Sequence, residues 1–248
     1  MTELIKQIVK VGNSAGVLLP REWLNGKARV ELISRPLDIK KEILEILDEY
    51  LRDIKGIYLV GSYARGEQEK DSDVDILAVT NNTNKRIKKG KYEITLISED
   101  NLDKTLKNNI LPILPMIKEA KPMLNENLIE KYKNIKPNEK NTKFILDLAK
   151  SSRKICKKSI EISKMSNKNV SDNVMYSIIL GLRTSYVIDS LNKNKIPTTN
   201  GLKSLIIKLA GSEEPYNSYL RLKNNQADKE SISPQTAEKL NNYATDNL

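Results

Sequence analysis

The sequence predicts an α+β fold in which a mixed sheet with flanking helices follows a small N-terminal β-hairpin domain and precedes a C-terminal all-α bundle. Three patterns predict it: short apolar runs between turns in residues 1–36, strands interspersed with helices in 37–128, and helical apolar spacing in 129–248. A chain of 248 residues is long enough for one large domain or for two to three small ones. We therefore expect three domains with these boundaries.

Composition excludes several classes of active site. The chain has no histidine and one cysteine, Cys156, so a histidine general base and a structural zinc site are both excluded. Any catalysis must use carboxylates, lysine, tyrosine, hydroxyls or a hard metal bound by oxygen. A lone cysteine forms no internal disulfide, and no apolar stretch approaches the ~20 residues that span a bilayer. We expect a cytoplasmic protein without a membrane segment.

The distribution of charge points to anionic partners. The net charge is +10, yet acidic residues outnumber basic ones by eleven to six in residues 37–80. The basic excess elsewhere predicts polyanions such as nucleic acid or nucleotide phosphates. Solvated lysines on an ordinary surface are the alternative.

The first 36 residues form short apolar runs joined by turns. The turn-prone VGNSAG precedes the run at 17–19, and Asn25-Gly26 precedes the run Val30 to Ile33. So small a β unit cannot bury a core. We therefore expect it to pair with a second copy of itself.

This segment resembles a known family of DNA-binding domains. VGNSAGVLLPREWL, followed by KARVEL, is similar to the swapped hairpins of the AbrB and MazE antitoxin type. The resemblance implies a homodimer that binds DNA through basic residues, with a dimerisation hairpin that makes no DNA contact as the alternative. The candidate DNA contacts are Lys6, Lys10, Arg21, Lys27 and Arg29.

The middle segment alternates helix and strand. A helix over 37–55 precedes a buried strand at 57–60, the dipeptide Gly61-Ser62, and a second strand from Asp73 to Val79. After the loop NNTNKRIKKG, KYEITLIS forms a third strand, and Ser98 caps another helix. A short helix then leads to an edge strand at Pro122–Leu124.

The final segment is helical. We predict helices near 141–166, 172–192, 200–210 and 213–224, and a last one beginning at Ser233-Pro234. Arg153, Lys154, Lys157 and Lys158 form a solvated face or guide a phosphate. Arg183 and Asp189 lie within a very apolar helix, where charges need partners, so they form an ion-pair network or contact an acceptor.

The stretch GSYARGEQEKDSDVDILAV, residues 61–79, carries the candidate site. Asp73 and Asp75 share one face of a strand, and two close carboxylates repel unless a cation lies between them or one of them takes a proton. Mg²⁺ takes such carboxylates together with phosphate oxygens. Gly61-Ser62, before a predicted short helix at 63–68, offers close backbone approach, a hydroxyl and free N–H groups for phosphate. The alternative is an acidic loop, which describes Glu67, Glu69 and Asp71.

Gly-Ser, ten residues and Asp-x-Asp together resemble the polymerase-β-like nucleotidyltransferases, especially their small stand-alone members. The resemblance implies Mg²⁺-dependent transfer of a nucleotide, usually the adenylyl group of ATP, at a two-metal site. It makes Asp73 and Asp75 metal ligands, and Gly61 and Ser62 holders of the triphosphate.

Two further residues have more than one interpretation. Arg65 is a phosphate contact or a fold-stabilising partner for carboxylates. Glu93 is the candidate third carboxylate, as metal ligand or general base, although the family more often has aspartate there. An exposed strand glutamate opposite lysines is the alternative for Glu93.

These patterns predict an enzyme that transfers a nucleotidyl group from a nucleoside triphosphate to a hydroxyl on a protein or small molecule. An antitoxin-like protein that modifies a partner and represses its own promoter is one version. The alternative is a DNA-binding regulator whose transferase domain only senses nucleotide.

Overall fold

The computed structural model describes residues 4–31, 38–70 and 72–246, the last three of these by their backbone alone. The chain divides into two compact units, Met1–Ile39 and Lys40–Leu248. A small hairpin, a five-stranded mixed sheet and a set of C-terminal helices confirm the predicted fold class.

The N-terminal unit is a hairpin without a core. Strand β1 (Val9–Val11) pairs antiparallel with β2 (Ser14–Gly16) through a turn at Gly12, whose φ of +59° suits glycine. A 3-10 turn at Arg21–Trp23 follows. No side chain in residues 4–31 is buried, and Ile5 is 75% exposed. The predicted strand residues Leu32 and Ile33 lie outside the described residues.

The central sheet has the strand order β5-β6-β4-β3-β7. Strands β4 and β6 are parallel and the other neighbours are antiparallel. The strands are β3 (Ile54–Val60), β4 (Val74–Thr80), β5 (Lys85–Lys89), β6 (Tyr92–Ser98) and β7 (Lys121–Leu124).

Ten helices and a two-stranded ribbon make up the rest of the described structure, and the bundle helices begin and end close to their predicted positions. The helices are α1 (Ile39–Ile46), α2 (Gly61–Arg65), α3 (Glu99–Asn108), α4 (Leu114–Glu119), α5 (Glu126–Lys133), α6 (Glu139–Met165), α7 (Asp172–Asn192), α8 (Thr199–Ala210), α9 (Glu214–Lys223) and α10 (Pro234–Asp246). The ribbon pairs β8 (Val170–Ser171) with β9 (Glu230–Ile232).

Both faces of the sheet are covered. Leu77, Val79 and Ile97 pack in one core with side chains of α3, α4 and α5 and with Leu191 of α7. On the opposite face, the Tyr92 hydroxyl donates to Glu42 of α1 at 2.8 Å. The expected domain boundary at residue 128 falls within α5, which packs on the sheet, so sheet and bundle share a core.

Strand β5 corrects one prediction, because NNTNKRIKKG was expected to be a loop. Residues 85–89 pair antiparallel with β6 through a two-residue turn at Gly90-Lys91. The strand has four cations in five residues and almost no apolar alternation, which hid it in the sequence. Charged side chains are usual on an edge strand, where they discourage pairing with other chains.

One prediction about charges in the bundle was wrong, and a second was met only in part. Arg153 does not lie on a solvated face: it is 6% exposed, and its Nη2 donates to Ser185 Oγ of α7 at 3.1 Å. Burial lowers the pKa of Arg153. Arg183 and Asp189 are exposed instead, and Asp189 pairs with Lys193 one turn away. Apolar periodicity did not show that Arg183 and Asp189 are exposed, because α7 is apolar on most of its circumference.

A buried ion pair anchors the bundle at the start of α7. The Asp172 side chain is fully buried and accepts bonds from Arg221 Nε at 2.7 Å, Arg221 Nη2 at 2.8 Å and Ser218 Oγ at 2.6 Å. Burial alone raises the pKa of Asp172, but these donors outweigh it and the net pKa is lowered. No helix among the described residues is long and apolar enough to cross a membrane.

Candidate active site

The sheet register aligns two carboxylates on neighbouring strands. Asp75 on the central strand β4 lies opposite Glu93 on the parallel strand β6, and opposite Val60 on β3. Asp75 is half-buried, whereas the Glu93 side chain is 47% exposed. Asp73 directly precedes β4 and is 46% exposed. The three residues share the sheet face that carries Leu77, because side chains alternate along a strand.

Gly61 places the turn after β3 against the carboxylate row, which consists of Asp73, Asp75 and Glu93. Its φ is +70°, and a Cβ added there would lie 2.1 Å from Asp75 Oδ2. A larger residue would therefore clash with the carboxylate as well as strain the backbone. Because residue 61 is glycine, the backbone of this turn can lie close to the Asp75 carboxylate.

A buried glutamate that sequence reasoning missed holds the turn. Glu119, at the end of α4, accepts the Gly61 N–H at 2.6 Å and the Arg65 Nη1 at 2.5 Å. The Gly61 N–H thus donates to a carboxylate. It is not free to bind phosphate, although it had been expected to be. The only signal for Glu119 was a single acidic residue in the apolar run LPILPMIKEA.

Arg65 binds carboxylates on both sides. Its Nε donates to Glu67 Oε2 at 2.7 Å, and the Thr199 N–H of α8 donates to the same oxygen at 3.3 Å. Burial alone lowers the pKa of Arg65, but the bonds to Glu67 and Glu119 outweigh it and raise the pKa. The expectation that Glu67 is a solvated loop residue was wrong, since its side chain is 14% exposed. Asp71 lies outside the described residues.

Ser62 lies in the first turn of α2, half-buried. The helix begins at Gly61, earlier than the predicted 63–68, and Gly66 ends it with a φ of +74°. The Ser62 carbonyl accepts the Glu67 N–H at 2.9 Å. Ser62 therefore lies directly after Gly61, the residue that approaches Asp75.

The electrostatics of the row are unbalanced. Burial, together with the charges of Glu93, Asp73 and Glu119, raises the pKa of Asp75 to about 6, against a small opposing effect of Arg65. Repulsion between Asp75 and these three acids favours a proton or a cation at Asp75. Chemically, the row can bind a hard cation or take up a proton.

One lysine occupies part of this acidic surface. Lys88 Nζ of β5 lies 2.6 Å from Glu93 Oε1 and 3.9 Å from Asp73 Oδ2. Across the described ranges, no three acidic or thiol side chains converge as a metal site. Asp73 and Glu93 thus share one exposed ammonium, that of Lys88.

The candidate DNA contacts belong to the separate N-terminal unit. Each is solvent-exposed, as a phosphate contact must be. They are Lys6, Lys10, Arg21, Lys27 and Arg29.

Comparison with known proteins places this site in a family. The family model described as "Nucleotidyltransferase domain" matches residues 40–178. A search of curated proteins found no match. Among solved structures, a nucleotidyltransferase-like protein from Exiguobacterium sibiricum is similar at 15% identity and a TM-score of 0.39, over 84% of this chain and 73% of that one.

A second similar structure is spectinomycin adenyltransferase from Enterococcus faecialis with ATP and spectinomycin. It has 15% identity and a TM-score of 0.45, over 83% of this chain and 97% of that one. The family model spans more than half of the chain and includes the Gly-Ser turn, both strand carboxylates and Glu119. The chain is therefore a nucleotidyltransferase, a member of the nucleotidyltransferase domain family.

Proposed function

We propose that this enzyme transfers the adenylyl group of ATP to an acceptor hydroxyl. The transfer uses Mg²⁺ and takes place at the carboxylate row of Asp73, Asp75 and Glu93, beside Gly61. The observation that carries the proposal is the close approach of Gly61 to a carboxylate whose pKa is raised to about 6. Strongly perturbed carboxylates of this kind are typical of functional sites.

The residues suit a hard divalent cation. Asp73, Asp75 and Glu93 offer only oxygen donors, and they lie beside a turn that approaches the carboxylate closely. A cation there would relieve the repulsion that raises the pKa of Asp75. Bound Mg²⁺ would neutralise phosphate charge during transfer. Asp73 and Glu93 would release Lys88 and bind the metal in its place, together with Asp75.

The triphosphate is assigned to the side of the row near β3. Ser62, at the start of α2, would contribute its hydroxyl, and Gly61 before it lets the backbone of the turn approach Asp75 closely. Arg65 positions the turn through Glu119, because both of its observed carboxylate contacts face the protein. We accordingly propose Arg65 as a positioning residue and not as a direct phosphate ligand.

Glu93 is proposed as the general base. It lies on the opposite side of Asp75 from Gly61, which suits in-line attack. The acceptor oxygen forms a bond to the α-phosphorus, the bond from that phosphorus to the β-phosphate oxygen breaks, and pyrophosphate leaves with the electron pair. The hydroxyl proton passes to the Glu93 carboxylate.

The proposal is tested with α-labelled nucleoside triphosphates, Mg²⁺ and a cell extract. We expect the native protein to label an acceptor and the double variant Asp73→Asn/Asp75→Asn to label nothing. Metal-dependent ATP binding without any transfer would instead favour the nucleotide-sensing regulator.

We also propose that the N-terminal unit forms a homodimer and binds DNA, as an antitoxin-like repressor would. Support comes from exposed apolar side chains with no core to join, among them Ile5, Leu18 and Leu24. The expected result is a dimer in sedimentation and a salt-dependent DNA shift that Arg21→Ala weakens. A dimer whose DNA shift is unchanged in Arg21→Ala would leave only the dimerisation role.

A further inference from the structure

A basic groove lies beside the carboxylate row, on the same face of the sheet. Its volume is about 520 Å³, and it runs between the β5–β6 hairpin and α3. Lys85, Arg86 and Lys104 line it, together with polar side chains such as Thr95 and apolar ones such as Ile97 and Ile113. No acidic residue lines it in the described part of the chain.

The sheet register connects the groove to the site. Lys88 lies opposite Glu93 and Arg86 lies opposite Thr95, so the Arg86–Thr95 pair is the next pair along the same face. Two residues along a strand span about 7 Å. A ligand whose hydroxyl reached Glu93 would therefore carry its next group, about 7 Å away, to Arg86.

We propose that the groove selects the acceptor of the proposed transfer, and that this acceptor is an acidic segment of a polypeptide. The inference rests on the proposed function for the hydroxyl, while the acidic character follows from the groove itself. Carboxylate side chains would pair with Arg86 and Lys104, two cations without an acidic partner in the groove lining.

The form of the groove favours a polypeptide over other anions. In an extended segment, alternate side chains repeat every 7 Å, as the two pairs on the sheet do. Single-stranded nucleic acid is usually bound by aromatic stacking, and no aromatic side chain lines the groove.

The experiment uses the full chain and a random copolymer of glutamate and tyrosine, with a lysine–tyrosine copolymer and an oligonucleotide as comparisons. Binding of the fluorescent copolymer is measured without ATP, and transfer is measured separately with α-labelled ATP and Mg²⁺. We expect the glutamate copolymer to be bound and labelled in preference to both comparisons.

Matched variants locate the binding. Arg86→Glu and Lys104→Glu should each weaken both binding and labelling about tenfold, equivalent to ~1.4 kcal/mol, with the KM for ATP unchanged. Lys89→Glu, on β5 beside Tyr92 and on the opposite face, makes the same charge change outside the groove and should have less than about a twofold effect. Arg86→Gln, a milder change, should fall between them if Arg86→Glu fails to fold.

Each outcome decides one of the two proposals. Equal losses in Arg86→Glu and Lys89→Glu, or no copolymer binding, would overturn the groove and leave the transferase untouched. Preferential labelling of the lysine copolymer or the oligonucleotide would do the same. Groove-dependent binding without labelling of any acceptor would support the groove and count against the proposed transfer. Aggregation of the variants alone would indicate that these charges only protect the sheet edge.

Discussion

Two aspartates of this chain, Asp172 buried and Asp75 half-buried, differ in how their charge is balanced. Asp172 receives an arginine fork and a serine hydroxyl, and its pKa is lowered. Asp75 faces three other acids, and its pKa is raised to about 6. The first carboxylate is neutralised by the fold itself, so it contributes to stability. The second is left without a matching cation, which is the arrangement expected of a site that binds one.

The largest expected effect is on activity at Asp75. Asp75→Asn should lower adenylyl transfer by at least about 10²–10³-fold, because a ligand for the cation and its charge are both lost. Glu69→Gln, in the exposed segment between α2 and β4, is the matched control and should transfer normally. Label transfer under saturating ATP measures both, and near-native activity of Asp75→Asn would remove Asp75 from the site.

Asp172→Asn should show the opposite behaviour, a large loss of stability. Removing the charge leaves the Arg221 guanidinium, only 15% exposed, without its main partner. We expect a loss of about 3 kcal/mol in the free energy of unfolding. Urea titration followed by circular dichroism measures it. A loss below about 0.5 kcal/mol would mean that Asp172 is no more important to the fold than a surface residue.

The turn beside Asp75 offers a comparison of two glycines. Gly61→Ala and Gly66→Ala both place a side chain at positive φ, but only the first meets another group, the Asp75 carboxylate. We expect about 1 kcal/mol of destabilisation at Gly66 and about 2–3 kcal/mol at Gly61. Thermal unfolding measures both changes. Equal losses would show that the Asp75 side chain moves aside at no cost.

The two aspartates should respond oppositely to pH. Asp75 has a raised pKa, so its ionisation costs stability as the pH rises through about 6, and Asp75→Asn should be more stable than the native chain at pH 7.5 without metal. Part exposure limits the gain to about 1–2 kcal/mol.

Asp172 has a lowered pKa, so its stabilisation is present above pH 3.8 and is lost as the pH falls through its folded pKa. Melting temperatures from pH 3 to pH 7.5 compare both variants with the native chain. The advantage of Asp75→Asn should vanish toward pH 4, where the deficit of Asp172→Asn should still be present. Parallel curves for the two variants would contradict the assigned charges.

The smallest effect is expected at Lys88. Its pairs with Glu93 and Asp73 are exposed, so Lys88→Gln should leave the melting temperature nearly unchanged. Because the ammonium competes for the same acids, the variant should need less Mg²⁺ for half-maximal transfer. A titration of Mg²⁺ checks this, and a higher requirement would show that Lys88 assists the metal.

Local patterns predicted the strands that carry the carboxylates but not the contacts between distant segments. Alternation in SDVDILAV was sufficient to place Asp73 and Asp75 on one face, whereas Glu93 was a candidate only through the family resemblance, and its position opposite Asp75 depends on the register of β4 and β6. Glu119 was missed since its partner Gly61 is 58 residues away. The burial of Arg153 and Glu67 likewise depends on α7 and α8, which no window of neighbouring residues contains.

The hydrogen bond that the Gly61 N–H donates to Glu119 has a consequence for local unfolding. Arg65 joins that glutamate to Glu67, and Glu67 in turn accepts the first N–H of α8. The glycine amide is therefore protected from hydrogen exchange by contacts from three separate segments of the chain. We expect it to exchange only when the whole Lys40–Leu248 unit opens, unlike the amides of a typical surface turn. The most permissive backbone position in the site would then be among the slowest to open.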